Sequence, residues 1–320
     1  CCLRFFMRIP LAWHNVFQNK RRTIAAVCGI SFTILLVFMQ LGFLRGGKTA
    51  AASLFEIFDY DIGIVSEKYT YLATPGFFDK IRLTQAIAHQ NVQSAASMSF
   101  SNGAWKDKDT AISSRLIILG VPLDHRFIKN ELIRAGVDNI RPNHTALVDL
   151  YSHKDYGDLA IGKEVEVNRA PVMIAGHFRL GVGLFSEGCV IVSNNNFARL
   201  TLSDPRMVNY GFLRLNEGAD TENVVAQLKK ILPDDVFIYS KTDMIHKEQD
   251  YFVSVKPVGI IFQSGVIVAC FAGVVILFQV LNTDISNRLD EFATLKAIGF
   301  SDGYIYSIGV QQALIYALLG

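Results

Sequence analysis

The sequence predicts an α-helical membrane protein with a large α+β domain outside the cytoplasm. Two uncharged apolar runs, Thr23–Leu44 and Val258–Leu281, are each long enough to cross about 30 Å of hydrocarbon as a helix. A third apolar run begins near Tyr304. The stretch from Arg45 to Lys256 carries charges throughout and is long enough to form its own core. Membrane segments therefore flank one large globular domain.

These runs divide the chain into six predicted segments. They are a cytoplasmic amphipathic segment (1–22), a first transmembrane helix (23–44), an extracytoplasmic domain (45–256), a second transmembrane helix (257–281), a cytoplasmic loop (282–303) and a third transmembrane helix (304–320). The last run is short for a complete span, so we expect the sequence to be truncated before its third span ends.

The orientation follows from the basic residues before the first apolar run. Arg4, Arg8 and the cluster at 20–22 precede that run closely, and the positive-inside rule places them in the cytoplasm. The domain 45–256 then lies outside and the loop 282–303 lies inside. A cleaved signal peptide is the alternative, which the length of the run and the lack of a small-residue cleavage site disfavour.

Composition argues against several functions. The formal net charge is only +2, so no nucleic-acid partner is predicted. The seven histidines have no metal-ligand spacing, and no catalytic constellation is evident, so we predict neither a metal site nor an enzyme. Cys189 is the only cysteine of the outer domain and lies in an apolar run, which predicts a buried residue rather than a reactive thiol.

One motif points to a different class of protein. Residues 42–49, GFLRGGKT, fit the phosphate-loop pattern GxxxxGK[ST], which would indicate a nucleotide-binding enzyme. Such a loop needs a short strand before it and a strand-end aspartate elsewhere. Here the preceding apolar run is too long for a strand, and the nearest aspartate of this kind is Asp149. The motif is better explained as a glycine and lysine cap on a membrane helix, and the enzyme stays as a rival hypothesis.

Periodicity in the outer domain predicts strands and helices in irregular order, which favours α+β. The predicted strands are Asp61–Ser66, Leu116–Val121, Glu164–Asn168, Val172–His177, Cys189–Ser193 and Gly211–Leu215. The predicted helices are Phe77–His89, Lys129–Ala135, Thr221–Ile231 and a stretch from Thr242. The last is expected to continue into the membrane as a stalk, with Pro257 as a kink or helix start.

Small residues recur every four positions in both apolar runs. Such rows let helix backbones approach closely, between the spans or across a dimer. The rows are Ala25, Gly29 and Thr33 in the first run and Gly265, Ala269 and Gly273 in the second.

The segment Asn287–Ile298 is predicted to be an amphipathic helix that ends at Gly299. One face would carry Leu289, Phe292, Ala293, Leu295 and Lys296, and the other Arg288, Glu291 and Thr294. Periodicity alone also fits an ordinary helix lying on the membrane surface.

A resemblance distinguishes these two interpretations. The segment LDEFATLKAIGFSDGYI (289–305) resembles the coupling segment of ATP-binding-cassette (ABC) permeases of the FtsX/MacB type, and within them the DevC family. Residues 7–43, 165–200 and 258–300 carry the same resemblance. It implies a bacterial inner-membrane permease with four spans and a periplasmic domain. Asp290, Glu291, Leu295, Lys296 and Gly299 would belong to an ATPase-coupling helix.

The resemblance also implies partners. These are a second copy of the chain, a separate ABC ATPase that holds ATP and magnesium, a HlyD/DevB-like membrane-fusion adaptor, a TolC-like outer-membrane channel and membrane lipid. This chain itself would bind no cofactor. The implied activity is export of a lipid, a glycolipid or another hydrophobic cargo. The alternative is an FtsX-like signalling permease that activates a periplasmic cell-wall hydrolase.

Overall fold

The computed structural model describes residues 11–18, 20–107, 113–181 and 187–320. The helices are α1 (Leu11–Gln18), α2 (Lys20–Glu56), α3 (Ile81–Ile87), α4 (Glu131–Gly136), α5 (Asn194–Thr201), α6 (Thr221–Ile231), α7 (Lys241–Ser254), α8 (Pro257–Ser286), α9 (Leu289–Ala297) and α10 (Asp302–Leu319). The strands are β1 (Ile62–Ser66), β2 (Phe78–Asp79), β3 (Val92–Lys106), β4 (Ser113–Val121), β5 (Thr145–Asp149), β6 (Glu164–Val167), β7 (Ala170–Phe178), β8 (Cys189–Ser193), β9 (Met207–Val208), β10 (Tyr210–Leu215) and β11 (Val236–Ser240).

The chain forms two compact units. The helical unit comprises residues 1–46 and 256–320, and the mixed unit comprises residues 47–255. In the helical unit, α2 and α8 carry candidate spans, Thr23–Glu56 and Pro257–Ser286, which are long and apolar enough to cross a membrane. Pro257 is the first residue of α8, where its fixed φ suits the first helical turn. The predicted helix start at Pro257 is confirmed, whereas the helix from Thr242 ends at Ser254.

A nine-stranded sheet forms the centre of the mixed unit. Its order is β11-β1-β10-β3-β4-β8-β5-β7-β6. The long strand β3 links the two halves, because residues 92–98 pair with β10 and residues 99–106 pair with β4. Antiparallel pairs predominate, while β4–β8 and β5–β7 are parallel. Helices between the strands complete the predicted α+β architecture.

The six predicted strands are present as β1, β4, β6, β7, β8 and β10, with small shifts at their ends. Strands β2, β3, β5, β9 and β11 and helix α5 were not predicted. The helix predicted for Phe77–His89 is wrong at its start, because Phe78 and Asp79 pair with β9. The Asp79 carboxylate then accepts the Ile81 N–H at 2.9 Å, and α3 begins there.

A buried carboxylate ties one loop of the mixed unit to α7. Glu248 is 3% exposed and accepts hydrogen bonds from the Tyr69 hydroxyl and from the Leu72 N–H, the latter at 3.0 Å. The Tyr210 hydroxyl donates to the Leu72 carbonyl at 2.6 Å. Burial raises the pKa of both Tyr69 and Tyr210.

These tyrosines predict a loss of stability at alkaline pH. Their folded-state pKa lies above the unfolded value of about 10, so the unfolded chain releases its protons first as the pH rises. Their contribution is therefore complete below about pH 10 and declines above it. We expect Tyr210→Phe to reduce the slope of stability against pH between about 9 and 11, measured by denaturant unfolding.

The exposed Tyr151 provides the matched control, since Tyr151→Phe removes a hydroxyl that is not buried. This variant should keep the wild-type slope. If Tyr210→Phe has the same slope as the wild type, the alkaline loss of stability does not come from Tyr210.

Candidate functional site

The short helix α9 is joined to α1 by a partly buried arginine. The Arg288 side chain is only 12% exposed and donates to Asn15 Oδ1 at 2.9 Å and to the Asn15 carbonyl at 3.0 Å. It also lies 3.2 Å from the Glu291 carboxylate. The prediction that Arg288 faces outward is therefore wrong. Arg288 is the residue directly before α9, so these hydrogen bonds hold the start of the helix.

The apolar side of α9 is narrower than predicted. Phe292 is buried and packs in a cluster with Ala12 of α1 and Ile308 of α10, and Leu295 lies partly buried beside it. Leu289 is 60% exposed and Ala293 is also exposed. α9 has only nine residues, and only the turn with Phe292 and Leu295 packs on neighbouring helices. The other apolar residues of the predicted face, Leu289 and Ala293, are exposed.

The C-terminal end of α9 is fixed by a Schellman motif. Gly299 has a φ of 101°, and its N–H donates to the Lys296 carbonyl at 3.0 Å. The Phe300 N–H donates to the Leu295 carbonyl at 3.1 Å, which completes the motif. Lys296 Nζ lies 2.9 Å from Asp302 Oδ1, and this hydrogen bond raises the pKa of Lys296. Both ends of α9 are therefore held.

The surface that α9 presents combines acids and apolar side chains. Asp290, Glu291 and Lys296 are exposed, as are Leu289 and Ile298, the last at 72%. Charged groups around exposed apolar residues are suited to docking on another protein. Sequence reasoning missed Ile298, although its position just before Gly299 in an amphipathic segment is a usable signal.

The small residues bring α2 and α8 together. A Cβ added at Gly273 would lie 2.7 Å from Thr33 Cγ2, and one at Gly265 would lie 2.9 Å from Gln40 Cδ. A Cβ at Gly29 would lie 3.4 Å from Ile276 Cγ2, and Ala269 is 6% exposed. Ala25 is exposed and lies outside this contact, whereas the neighbouring Ala26 is buried in a cluster with Ile30 and Tyr316.

A buried acid connects α8 to α10. Asp284 is 6% exposed, and its Oδ2 accepts a hydrogen bond from the Tyr316 hydroxyl at 2.8 Å. A carboxyl group on an apolar helix needs such a partner, because burying it alone is costly. Sequence reasoning missed this pair. The sequence signal that could have indicated it is Asp284 itself, a single acid just after the apolar run 258–281.

The structure contradicts the phosphate-loop alternative. Residues 42–49 lie inside the continuous helix α2, so no loop is present to surround a phosphate. A Cβ added at Gly47 would lie 2.3 Å from Phe252 Cζ, and close packing therefore accounts for this glycine. Asp149 accepts the N–H groups of Leu180 at 3.1 Å and Gly181 at 2.8 Å. Among the described residues no cluster of metal-ligating side chains occurs.

Comparison with known proteins identifies one family in the C-terminal part. Residues 264–320 match the FtsX-like permease C-terminal family, and this range includes α9, α10 and most of α8. No curated protein sequence matches the chain.

The fold was also compared with solved structures. One is the periplasmic region of MacB from Actinobacillus actinomycetemcomitans, with 11% identity over 59% of this chain and 92% of that chain and a TM-score of 0.42. A second is the extracellular domain of the ABC-type transporter YknZ from Gram-positive bacteria, with 10% identity, 56% and 98% coverage and a TM-score of 0.38. A domain of a putative permease protein from Porphyromonas gingivalis gives 14% identity, 57% and 86% coverage and a TM-score of 0.36.

Proposed function

We propose that this chain is the permease subunit of an ATP-driven export system whose ATPase is a separate ABC protein. One observation carries the proposal. The residues that match the FtsX-like permease family contain α9, a short helix held at both ends that presents acids and apolar side chains outward. No other described segment combines these properties with a family match.

In this proposal α9 receives the movement of the ATPase. A helix held at both ends moves as a rigid body, and a small shift at one contact can then become a change at another. The Arg288–Asn15 hydrogen bonds would pass the shift to α1, and the packing of Phe292 on Ile308 would pass it to α10. Cargo need not cross the helices, because the mixed unit would act on cargo outside the membrane.

The remaining parts of the proposal rest on the resemblance of the sequence to DevC-like permeases. The chain would act as a homodimer in a bacterial inner membrane and work with a HlyD/DevB-like adaptor and a TolC-like outer-membrane channel. A lipid, a glycolipid or another hydrophobic molecule would be the cargo. ATP and magnesium would be held by the ATPase.

Isolation of the assembly tests this function directly. A tagged full-length protein is extracted gently from its membrane, and the proteins that accompany it are identified by mass spectrometry. An ATPase together with a membrane-fusion adaptor would support export. An ATPase with a cell-wall hydrolase and no adaptor would support the signalling alternative, and the absence of any ATPase would refute the proposed role of α9.

Charge inversion at Glu291 should uncouple the ATPase from export while the chain still folds. Glu291 is exposed in the first turn of α9, and a lysine there would bring a positive charge next to Arg288 and to the docking surface. Like-charge contacts at an interface cost several kcal/mol, so we expect export to fall at least about tenfold. Export and stimulated ATP hydrolysis are measured in vesicles with the complete assembly.

Glu222 supplies the matched control, because it is also an acid in the first turn of a helix but lies on α6 of the mixed unit. Glu222→Lys should leave both rates unchanged. Wild-type export in Glu291→Lys would refute the coupling role of this residue.

A further inference from the structure

Among the described residues, the sheet of the mixed unit has one strand, β11, whose outer edge pairs with no other strand. β11 lies at one end of the strand order, whereas β6 at the other end also pairs with β3. The Lys241 N–H donates to Asp61 and the Asp235 carbonyl accepts from Glu67, both at 2.9 Å. Hydrogen-bonded pairs alternate along an antiparallel ladder, so Phe237 and Tyr239 bond to β1. The N–H and C=O groups of Val236 and Ile238 therefore point away from the sheet.

β11 is short, but it lacks three other features by which proteins protect an edge, namely charge, proline and a bulge. Its sequence, VFIYS, contains no charge and no proline, and its pairing with β1 shows no bulge. Phe237 is 43% exposed. A cavity of about 400 Å³ lies beside the strand and is lined by Leu232, Pro233 and β11 residues among others. An open apolar edge of this kind is a template for another extended strand.

We infer that β11 pairs with β11 of a second copy of this chain, antiparallel, about a two-fold axis at Ile238. In this register the two Ile238 residues exchange backbone hydrogen bonds, and the Ser240 N–H of each copy donates to Val236 of the other. Phe237 of one copy then lies opposite Tyr239 of the other, at the closely spaced non-hydrogen-bonded positions.

The side chains of β11 fit this symmetric pairing. Phe237 and Tyr239 already contact each other, with ring centroids 6.4 Å apart, and two copies would join them into a cluster of aromatic rings. Cross-strand aromatic pairs are among the stabilising contacts of sheets. Lys247 Nζ lies 5.4 Å from the Tyr239 ring centroid, so a cation would border the cluster on each side.

The length of β11 also favours a second copy. α7 begins at Lys241, so the strand has five residues, and the symmetric register uses all of them in both copies. So short a pairing buries much less than the roughly 800 Å² per partner of a stable interface. It therefore needs copies that are already held close together, as two chains in one membrane are. The inference rests on the homodimer of the proposed function and is independent of transport.

Disulfide cross-linking tests the register. Two differently tagged full-length copies are co-expressed after the exposed Cys28 and Cys270, and also Cys1 and Cys2, are replaced by alanine. One copy carries Phe237→Cys and the other Tyr239→Cys, and their membranes are oxidised. Opposed residues lie about 4.5 Å apart between Cα atoms, within disulfide range, whereas diagonal residues lie about 7–8 Å apart. Cross-linking should therefore be efficient only in the mixed pair.

A second pair covers the case in which a substitution in the strand disturbs folding. Asp234 and Thr242 are both exposed and lie just beyond the two ends of β11, so the antiparallel pairing brings Asp234 of one copy near Thr242 of the other. Asp234→Cys with Thr242→Cys should therefore also cross-link through a short bis-maleimide. Equal cross-linking when both copies carry the same single substitution would overturn the register.

Co-purification of the two tags separates the remaining outcomes. Tags that co-purify without any cross-link in either mixed pair would overturn the edge pairing and leave the dimer intact. Tags that do not co-purify would overturn both. An ATPase in the same eluate reports on the proposed function independently of either result.

Discussion

Replacing Lys163 with methionine is expected to lower the free energy of unfolding by about 3–5 kcal/mol, because it breaks a buried ion pair by removing the cation. Asp107 is 1% exposed, and its Oδ1 lies 2.9 Å from Lys163 Nζ, itself 18% exposed. Methionine matches the length of the lysine stem, so packing is largely retained. The loss therefore reports the broken ion pair rather than a cavity.

Fluorescence of Trp105 can measure this change. Trp105 is fully buried two residues before Asp107 and donates through Nε1 to the Tyr156 carbonyl at 3.1 Å. The sequence has two tryptophans, so Trp13→Phe leaves Trp105 as the single reporter in the full chain. Denaturant unfolding then gives the difference between lysine and methionine at position 163.

A double substitution gives the control. When Asp107→Leu accompanies Lys163→Met, the buried charge is removed together with its partner, and stability should return most of the way to that of the starting protein. Wild-type stability in Lys163→Met alone would show that Asp107 does not depend on this lysine.

The second large effect is expected at Glu248. Glu248→Ala leaves the Tyr69 hydroxyl and the Leu72 N–H buried without their acceptor, and each unsatisfied group costs about 1–3 kcal/mol. We therefore expect a loss of about 2–5 kcal/mol in the unfolding free energy. Because the contact ties the loop around Leu72 to α7, the loop should also open locally.

Limited proteolysis distinguishes local opening from general destabilisation. Lys68 lies in that loop, so trypsin should cut after Lys68 much faster in Glu248→Ala than in the starting protein. The exposed Glu217 gives the control, since Glu217→Ala removes a carboxylate at the surface. An unchanged rate of cleavage after Lys68 would contradict the role of Glu248 in closing this loop.

The predicted strands were those in which local sequence and final environment agree. β8, with the sequence CVIVS, is buried along its whole length and is rich in β-branched residues, so its bounds were predicted correctly. β3 consists largely of serine, alanine, glycine and asparagine around a few apolar residues, a composition of weak strand preference. Pairing with β4, which follows it directly, and with β10 and β6, which lie far along the chain, makes it a strand.

The same division applies to the candidate site. The presence of α9, its stop at Gly299 and the exposure of Asp290 and Glu291 follow from local periodicity and capping. The inward position of Arg288 does not, because its partner Asn15 lies 273 residues away in sequence. Tyr316 and Asp284 are likewise joined only by the packing of α10 on α8. The residues next to Arg288 and Asp284 in sequence do not indicate which distant side chain each of them will contact.

The contact between Gly47 and Phe252 changes how genetic experiments on the GGKT sequence should be interpreted. Any residue larger than glycine at position 47 meets the Phe252 ring, so an inactive Gly47 variant would mimic a defective nucleotide site while reporting only a packing fault. Lys48 is half-buried on the same helix and is the side chain that would contact phosphate in a true phosphate loop. Lys48→Ala is therefore the substitution that tests nucleotide binding. A screen that tests only Gly47 variants would wrongly conclude that this part of α2 binds a nucleotide.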